Sequence, residues 1–220
     1  MLLIEYRGLV DTSTNMQIIG LTGGIGTGKT EVASILQELG AVVIHVDRLG
    51  HEAYKQGTGG WKELIETFGQ ELVGPTGEID RKLLGKIVFA DRKARTKLES
   101  IVWPRIGELL RKRINDLSTK KTDTIVLEAA LLIEAGWHTL VDEIWITCST
   151  KDLVAERLRS RNPDLSNEEI VERVNSQSPF KDQVDLVNVV VNNSATLADL
   201  RAQVKTLWKT REKESRDIYG

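Results

Sequence analysis

Gly23-Gly24-Ile25-Gly26-Thr27-Gly28-Lys29-Thr30 fits the pattern G-x-x-x-x-G-K-S/T, the P-loop, and its flanks give it a structural setting. Upstream, Gln17-Ile18-Ile19-Gly20-Leu21-Thr22 reads as a short buried strand. Downstream, Val32, Ile35, Leu36 and Leu39 recur at helical spacing, and Gly40 supplies a stop. In a strand–loop–helix of this kind the glycines let backbone N–H groups close on a phosphate chain. The helix N-terminus adds favourable partial positive charge. Lys29 then neutralises the β- and γ-phosphates, and the Thr30 hydroxyl ligates Mg²⁺. Gly24, Ile25, Gly26, Thr27, Gly28 and Glu31 complete the expected contacts with ATP. The competing reading is a glycine-rich turn with a chance Lys-Thr, and the strand and helix on either side argue against it.

Outward from this loop, strands and helices alternate. Strands are expected at Gln17–Leu21, Ala41–Val46, Asp123–Leu127, Glu143–Cys148 and Val187–Val191, with a helix over Lys29–Leu39. Their Val and Ile content argues for a parallel sheet covered on both faces. Residues 48–120 read as mostly helical, with turns at Gly57-Thr58-Gly59-Gly60 and Gly74-Pro75-Thr76-Gly77. Within them Pro104 must start or kink a helix. Lys151–Ser160 reads as a helix broken at Asn162-Pro163, and Ser166-Asn167-Glu168-Glu169 opens the next as a capping box. A last helix runs from about Leu197, capped by Thr196 and Asp199, with Leu200, Val204 and Leu207 on one face. The expected fold class is α/β, a P-loop NTPase-type parallel sheet flanked by helices, with a helical substrate-binding insertion and a helical lid. Residues 1–15 form a dispensable N-terminal extension. The nucleotide-binding core takes 16–48, 121–150 and 183–208, the acceptor domain 49–120, the lid 151–182, and a charged, frayed tail 209–220.

The 220 residues carry 30 Lys plus Arg and 32 Asp plus Glu, a net charge of −2, which supplies no overall attraction to nucleic acid or an anionic membrane. No apolar run reaches membrane-spanning length, and Met1–Asn15 lacks the cationic start and apolar stretch of a signal peptide. Cys148, the only cysteine, excludes an intramolecular disulfide and sits in an apolar strand, where it reads as a buried, inert thiol. These features fit a cytoplasmic protein, a monomer or weak homo-oligomer, that binds neither nucleic acid nor membrane. The five tryptophans read as core packing before they read as an interaction surface.

Phosphoryl transfer also needs a group that orients or deprotonates the acceptor. Asp47 directly follows the second strand, at the carboxyl end where an open parallel sheet presents its ligand crevice. It reads as the base for an alcohol, or as the cap of the following helix. His45 lies two residues earlier on the same strand face, and either assists Asp47 and touches substrate or is a partly buried, hydrogen-bonded histidine. Glu128 ends the Asp123–Leu127 strand and is the first choice for a Mg²⁺ shell, with Glu134 on the next turn as the other. Arg157 and Arg161, spaced i, i+4, share a helix face suited to ATP phosphates or to stacking on adenine. A solvated basic face is the alternative, and Arg159 should point elsewhere. No Asn-Lys-x-Asp motif is present, which argues against a guanine-nucleotide switch.

Several further blocks resemble those of the dephospho-CoA kinase family. Ile19-Gly20-Leu21-Thr22 running into the P-loop looks like that family's signature, far more specific than a bare G-x-x-x-x-G-K-S/T. Gly77-Glu78-Ile79-Asp80-Arg81-Lys82-Leu83-Leu84 resembles its Gly-x-Ile/Leu-Asp/Asn-Arg-x-x-Leu block. Leu98-Glu99-Ser100-Ile101-Val102-Trp103-Pro104-Arg105-Ile106 resembles Leu-Glu-x-Ile-x-His-Pro-x-Ile, and Leu131-Leu132-Ile133-Glu134 resembles the end of Pro-Leu-Leu-Phe/Ile-Glu. Arg157-x-x-x-Arg161, Arg173-Val174-Asn175-Ser176-Gln177 and Asn193 fall in the family's order and spacing.

The resemblance implies transfer of the ATP γ-phosphoryl to the ribose 3′-hydroxyl of dephospho-CoA, the last step of coenzyme A biosynthesis, with Mg²⁺. It implies catalytic roles for Asp47, Lys29 and Arg157, nucleotide contacts from Arg161 and Asn193, and metal contacts from Thr30 and Glu128. His45, Asp47, Arg81, Leu84, Trp103, Leu132 and Glu134 are the implied acceptor contacts. The chain departs from the pattern at His45, Trp103, Ala130 and Val187-Asn188, where the family usually has Asp, His, Pro and Ala-Asp. Its ATP half is intact. The remaining alternative is a P-loop kinase acting on another nucleoside, nucleotide or small alcohol.

Overall fold

A computed structural model describes residues 16–120, 122–175 and 184–219, with side chains described up to Lys213. The expected extension over residues 1–15, and the lid's Ser176-Gln177, lie outside the described residues. The chain divides into two units, one running from His45 to Lys120, the other holding the sheet and the remaining helices.

The sheet carries five strands: β1 (Gln17–Gly23), β2 (Val42–His45), β3 (Thr124–Glu128), β4 (Glu143–Cys148) and β5 (Val189–Asn192). It is parallel, with strand order β2-β3-β1-β4-β5. β1 is central, with Leu21 opposite Glu128 on one side and Gly23 opposite Thr147 on the other. The three inner strands are buried almost throughout and the edge strands only in part, the burial that covering a parallel sheet on both faces requires. Helices α1 (Lys29–Glu38) and, at the chain's end, α8 (Leu197–Tyr219) contact each other. Leu36 of α1 and Val204 and Trp208 of α8 join Ile19, Leu21 and Trp145 in one core cluster.

Two further helices follow β4. α6 (Lys151–Arg161) and α7 (Asn167–Asn175) share a small core of Val154, Leu158 and Ile170. The expected capping box opens α7: the Glu169 carboxylate accepts from Ser166 N at 2.8 Å, and Glu169 N donates back to Ser166 Oγ at 3.2 Å. Thr196 and Asp199 make the same reciprocal pair at the start of α8.

The other unit is helical: α2 (Val46–Ala53), α3 (Gly59–Phe68), α4 (Arg81–Ala90) and the 27-residue α5 (Arg92–Ser118). α2, α3 and α4 each contact α5, whose Ile101, Leu110 and Ile114 are buried.

Five expectations change. The second strand stops at His45, and buried Val46 opens α2, so Asp47 stands on the first helical turn rather than beyond a strand. His45 and Asp47 therefore do not share a strand face. Gly59-Gly60 begins α3 instead of completing a turn, because the Thr58 hydroxyl caps it by accepting from Trp61 N at 3.2 Å. A Cβ at Gly60 would lie 2.2 Å from the Ala53 carbonyl, so the helix start admits only glycine. Of the two readings of Pro104, the start or the kink of a helix, the first falls: it lies inside α5, which Asp91 caps upstream by accepting from Lys93 N. β5 begins at Val189, not Val187, because the Asn188 side-chain oxygen takes the Ile144 N–H at 2.7 Å in place of a backbone partner. The charged tail is helical up to Tyr219 rather than frayed.

Within that tail Arg211 is a buried cation that ties the helix to the sheet. It is ion-paired to Glu143, hydrogen-bonded to the Thr124 hydroxyl at 3.2 Å, and seated 5.5 Å over the Trp208 ring. Removing one partner of a largely buried pair leaves the other charge uncompensated. Arg211→Ala is therefore expected to lower unfolding free energy by about 3 kcal/mol. In urea titrations this reads as a lower midpoint at unchanged slope.

Candidate active site

The carboxyl ends of β1, β3 and β4 lie side by side, and the P-loop leaves β1 there. Gly28 caps α1 in the left-handed region at φ 98°, and Gly26 turns the loop at φ 74°. Space is as restrictive as conformation. A Cβ at Gly28 would lie 2.0 Å from Asn193 Nδ2, and one at Gly23 would lie 2.3 Å from Thr147 Oγ1. Glycine at both positions lets the strand ends of β4 and β5 press against the loop. Ile25 at the tip is exposed.

Lys29 Nζ folds back over the loop and donates to the carbonyls of Gly23 at 2.7 Å and Gly24 at 3.0 Å. Thr30 donates to Glu128 Oε1 at 2.8 Å. Two expected metal-site residues, separated by 98 positions in the chain, thus meet at the end of β3. Glu128 is buried, and its backbone continues into Ala129 N, which donates to Leu21 O at 3.0 Å and ties β3 to β1. A hydroxyl and a carboxylate oxygen are hard donors that suit Mg²⁺. Among the described residues no cluster of three His, Cys, Asp or Glu could hold a metal alone. Glu31 stands in the first turn of α1, and Glu134 is exposed beyond β3.

Arg157 reaches from α6 to the loop. It donates to the Gly26 carbonyl at 3.2 Å, the Asn193 carbonyl at 3.0 Å and Ser149 Oγ at 3.3 Å. Asn193 is itself buried and donates through Nδ2 to the Thr27 carbonyl at 2.9 Å. Arg157, Ser149 and Asn193 therefore form one network that holds the crown of the loop from the β4–β5 side. Arg161 is exposed at the end of α6, and Arg159 turns away to Asn167 at 3.2 Å, as spacing predicts. Ser149 and Thr147 are functional neighbours that sequence reading passes over. The signal was available: two hydroxyl residues at the carboxyl end of an otherwise apolar strand.

Cys148, between them, is half-buried, and burial pushes its thiol up, which keeps it protonated and inert.

Asp47 is exposed on the first turn of α2 in the helical unit, and His45 is half-buried. Arg81 opens α4 and is exposed. Its charge acts on the α2 end of the same unit. Burial lowers the His51 pKa and Arg81 lowers it further. Burial raises that of Tyr54, with Arg81 opposing. Trp103 is half-buried on α5. Leu84 and Leu132 are buried, and Leu132 packs so closely on β1 that a Cβ at Gly20 would lie 2.5 Å from its Cδ2.

A 2-3-1-4-5 parallel sheet with a P-loop after its central strand, a Thr–carboxylate pair and arginine-bearing helices defines a P-loop kinase-type phosphotransferase. Comparison with known proteins narrows this. The sequence profile of dephospho-CoA kinase matches residues 17–199. The dephospho-CoA kinase of Carboxydothermus hydrogenoformans is 39% identical over 200 residues, 90% of this chain and 97% of its own. That of Geobacter sulfurreducens is 40% identical over 196 residues, 89% of this chain and 99% of its own. Among solved structures, a Thermus thermophilus protein superposes with a TM-score of 0.72 at 30% identity, covering 88% of this chain and 97% of its own. The chain belongs to the dephospho-CoA kinase family.

The loop geometry makes a direct prediction. Gly28→Ala collides with Asn193 and strains φ, so Mg-ATP binding should weaken by more than about tenfold in calorimetric titration. Binding at the wild-type level would mean the loop yields where the geometry forbids it.

Proposed function

We propose that this chain transfers the γ-phosphoryl of Mg-ATP to the ribose 3′-hydroxyl of dephospho-CoA, giving CoA and ADP. One observation carries the reading: the family match runs through the P-loop unit and the helical unit alike, from residue 17 to 199. A nucleotide core alone would not specify the acceptor, because P-loops serve many kinases.

Lys29 leaves the Gly23 and Gly24 carbonyls to meet the β- and γ-phosphates, and the loop's N–H groups cradle them. Thr30 and Glu128 would hold Mg²⁺, which would supply charge neutralisation at the phosphates. Arg157 acts from its seat on Gly26 and Asn193, and Arg161, one turn further along α6, reaches the phosphates or the adenine. Asp47 orients the 3′-hydroxyl and accepts its proton. Arg81, His45, Trp103 and Glu134 contact the acceptor. Leu84 and Leu132, both buried, shape its site through packing. Among the described residues no helix is long and apolar enough to cross a membrane. The proposal includes a cytoplasmic location, small-molecule substrates, a monomer or weak homo-oligomer, and no nucleic-acid or membrane partner.

The test is a coupled ADP-release assay with Mg-ATP that compares dephospho-CoA with adenosine, AMP and pantetheine-type acceptors. Turnover confined to dephospho-CoA, with the product phosphorylated at the 3′ position, is expected. ATP binding without that turnover would assign the acceptor site to another alcohol.

Two variants separate the roles. Lys29→Ala should lower kcat/KM by roughly 10²–10³-fold through loss of the cation at the transferring phosphoryl. Asp47→Asn should lower kcat by roughly 10²–10⁴-fold while leaving ATP affinity nearly unchanged. Collapse of ATP binding in Asp47→Asn, with kcat retained, would make Asp47 a helix cap or a metal-shell residue instead.

A further inference from the structure

Thr147 has no part in the reaction as described, yet it is a fully buried hydroxyl at the carboxyl end of β4, paired in register with Gly23. Its Oγ1 lies 2.6 Å from Thr27 Oγ1, inside the P-loop. One proton joins two hydroxyls at that distance, and the remaining acceptors decide its direction. Thr27 Oγ1 lies 2.7 Å from the Gly24 carbonyl. The acceptor left to Thr147, the Thr22 carbonyl, is 3.4 Å away. Hydroxyl hydrogen bonds are strongest near 2.7 Å and weak by about 3.4 Å. The favoured arrangement makes both short bonds: Thr147 donates to Thr27, and Thr27 donates to the Gly24 carbonyl. The reverse order exchanges a 2.7 Å bond for a 3.4 Å one.

The end of this relay is the carbonyl that Lys29 also holds, at 3.0 Å. When the ammonium turns to a bound nucleotide, Gly24 loses that donor, and the Thr27 hydroxyl remains on it. We propose that Thr147 is a positioning residue of the phosphoryl-donor site. Through Thr27 it keeps the Gly24 peptide oriented after Lys29 departs, so the loop's N–H groups stay aimed at the phosphates. The inference rests on the nucleotide reading of the P-loop given above.

The experiment is calorimetric titration of the full chain with Mg-ATP, without acceptor. Thr147→Val keeps the side chain's shape and removes the donor, and should raise Kd roughly five- to tenfold. Thr147→Ser keeps the hydroxyl and should stay within about twofold of wild type. Removing the relay at its other end, Thr27→Ala should show a comparable loss. The double variant Thr27→Ala/Thr147→Val should be no weaker than Thr27→Ala by more than about twofold, since the two residues act as one unit. A purely structural contribution of Thr147 would instead lower thermal stability, and its losses in Kd would add to those of Thr27→Ala.

Wild-type affinity in Thr147→Val, a Thr147→Ser as weak as Thr147→Val, or additive losses would each overturn the proposal. So would wild-type affinity in Thr27→Ala, a result that stands even if Thr147→Val does not fold. Wild-type protein that fails to bind Mg-ATP would remove the nucleotide reading itself, a failure visible before any variant is compared.

Discussion

The close approach of two strand ends to a loop without side chains is the constraint on which the site depends. Gly28 and Gly23 leave room that Asn193 and Thr147 occupy, and a single methyl at either position would have to displace a hydrogen-bonded polar group. Backbone N–H groups bind phosphate only if the backbone holds its shape before the ligand arrives. Here the shape is set from outside the loop: Asn193 on the Thr27 carbonyl, Arg157 on the Gly26 carbonyl, Thr147 on the Thr27 hydroxyl. The sheet order serves this purpose. With β1 central, β4 and β5 brace one side of the loop, while β3 delivers Glu128 to Thr30 on the other.

Lys29 has two sets of partners in this design. Its ammonium sits on two loop carbonyls, and in the proposed function it exchanges them for phosphate oxygens. Breaking those bonds opposes phosphate binding, but a charge-assisted bond to phosphate is stronger than one to a neutral carbonyl.

What was legible in the sequence followed how local each signal was. The P-loop, the helix after it, the capping boxes at Ser166 and Thr196, and β4 in full follow from adjacent residues, and all are present. Two of the errors fall where a distant partner decides. β5 starts late because Asn188 bonds to Ile144, 44 positions away. The terminal helix is tied to the sheet by Arg211, which pairs with Glu143, 68 positions away. At the site, Thr30 and Glu128 were legible because each follows a recognisable strand. Thr147 and Ser149 were not, since a hydroxyl in an apolar strand declares nothing until its neighbour is known.

The position of Asp47 shows how far such reasoning reaches. Reading β2 one residue too long placed Asp47 and His45 on one strand face, and the structure removes that pairing by starting α2 at Val46. The carboxylate instead stands exposed on the first turn of α2. A carboxylate at a helix start can accept a proton from an alcohol as well as one beyond a strand can, so the role proposed for Asp47 does not depend on the strand placement. The departure from the family pattern at His45 therefore falls on β2 while Asp47 falls on α2, so the two positions are set by different elements.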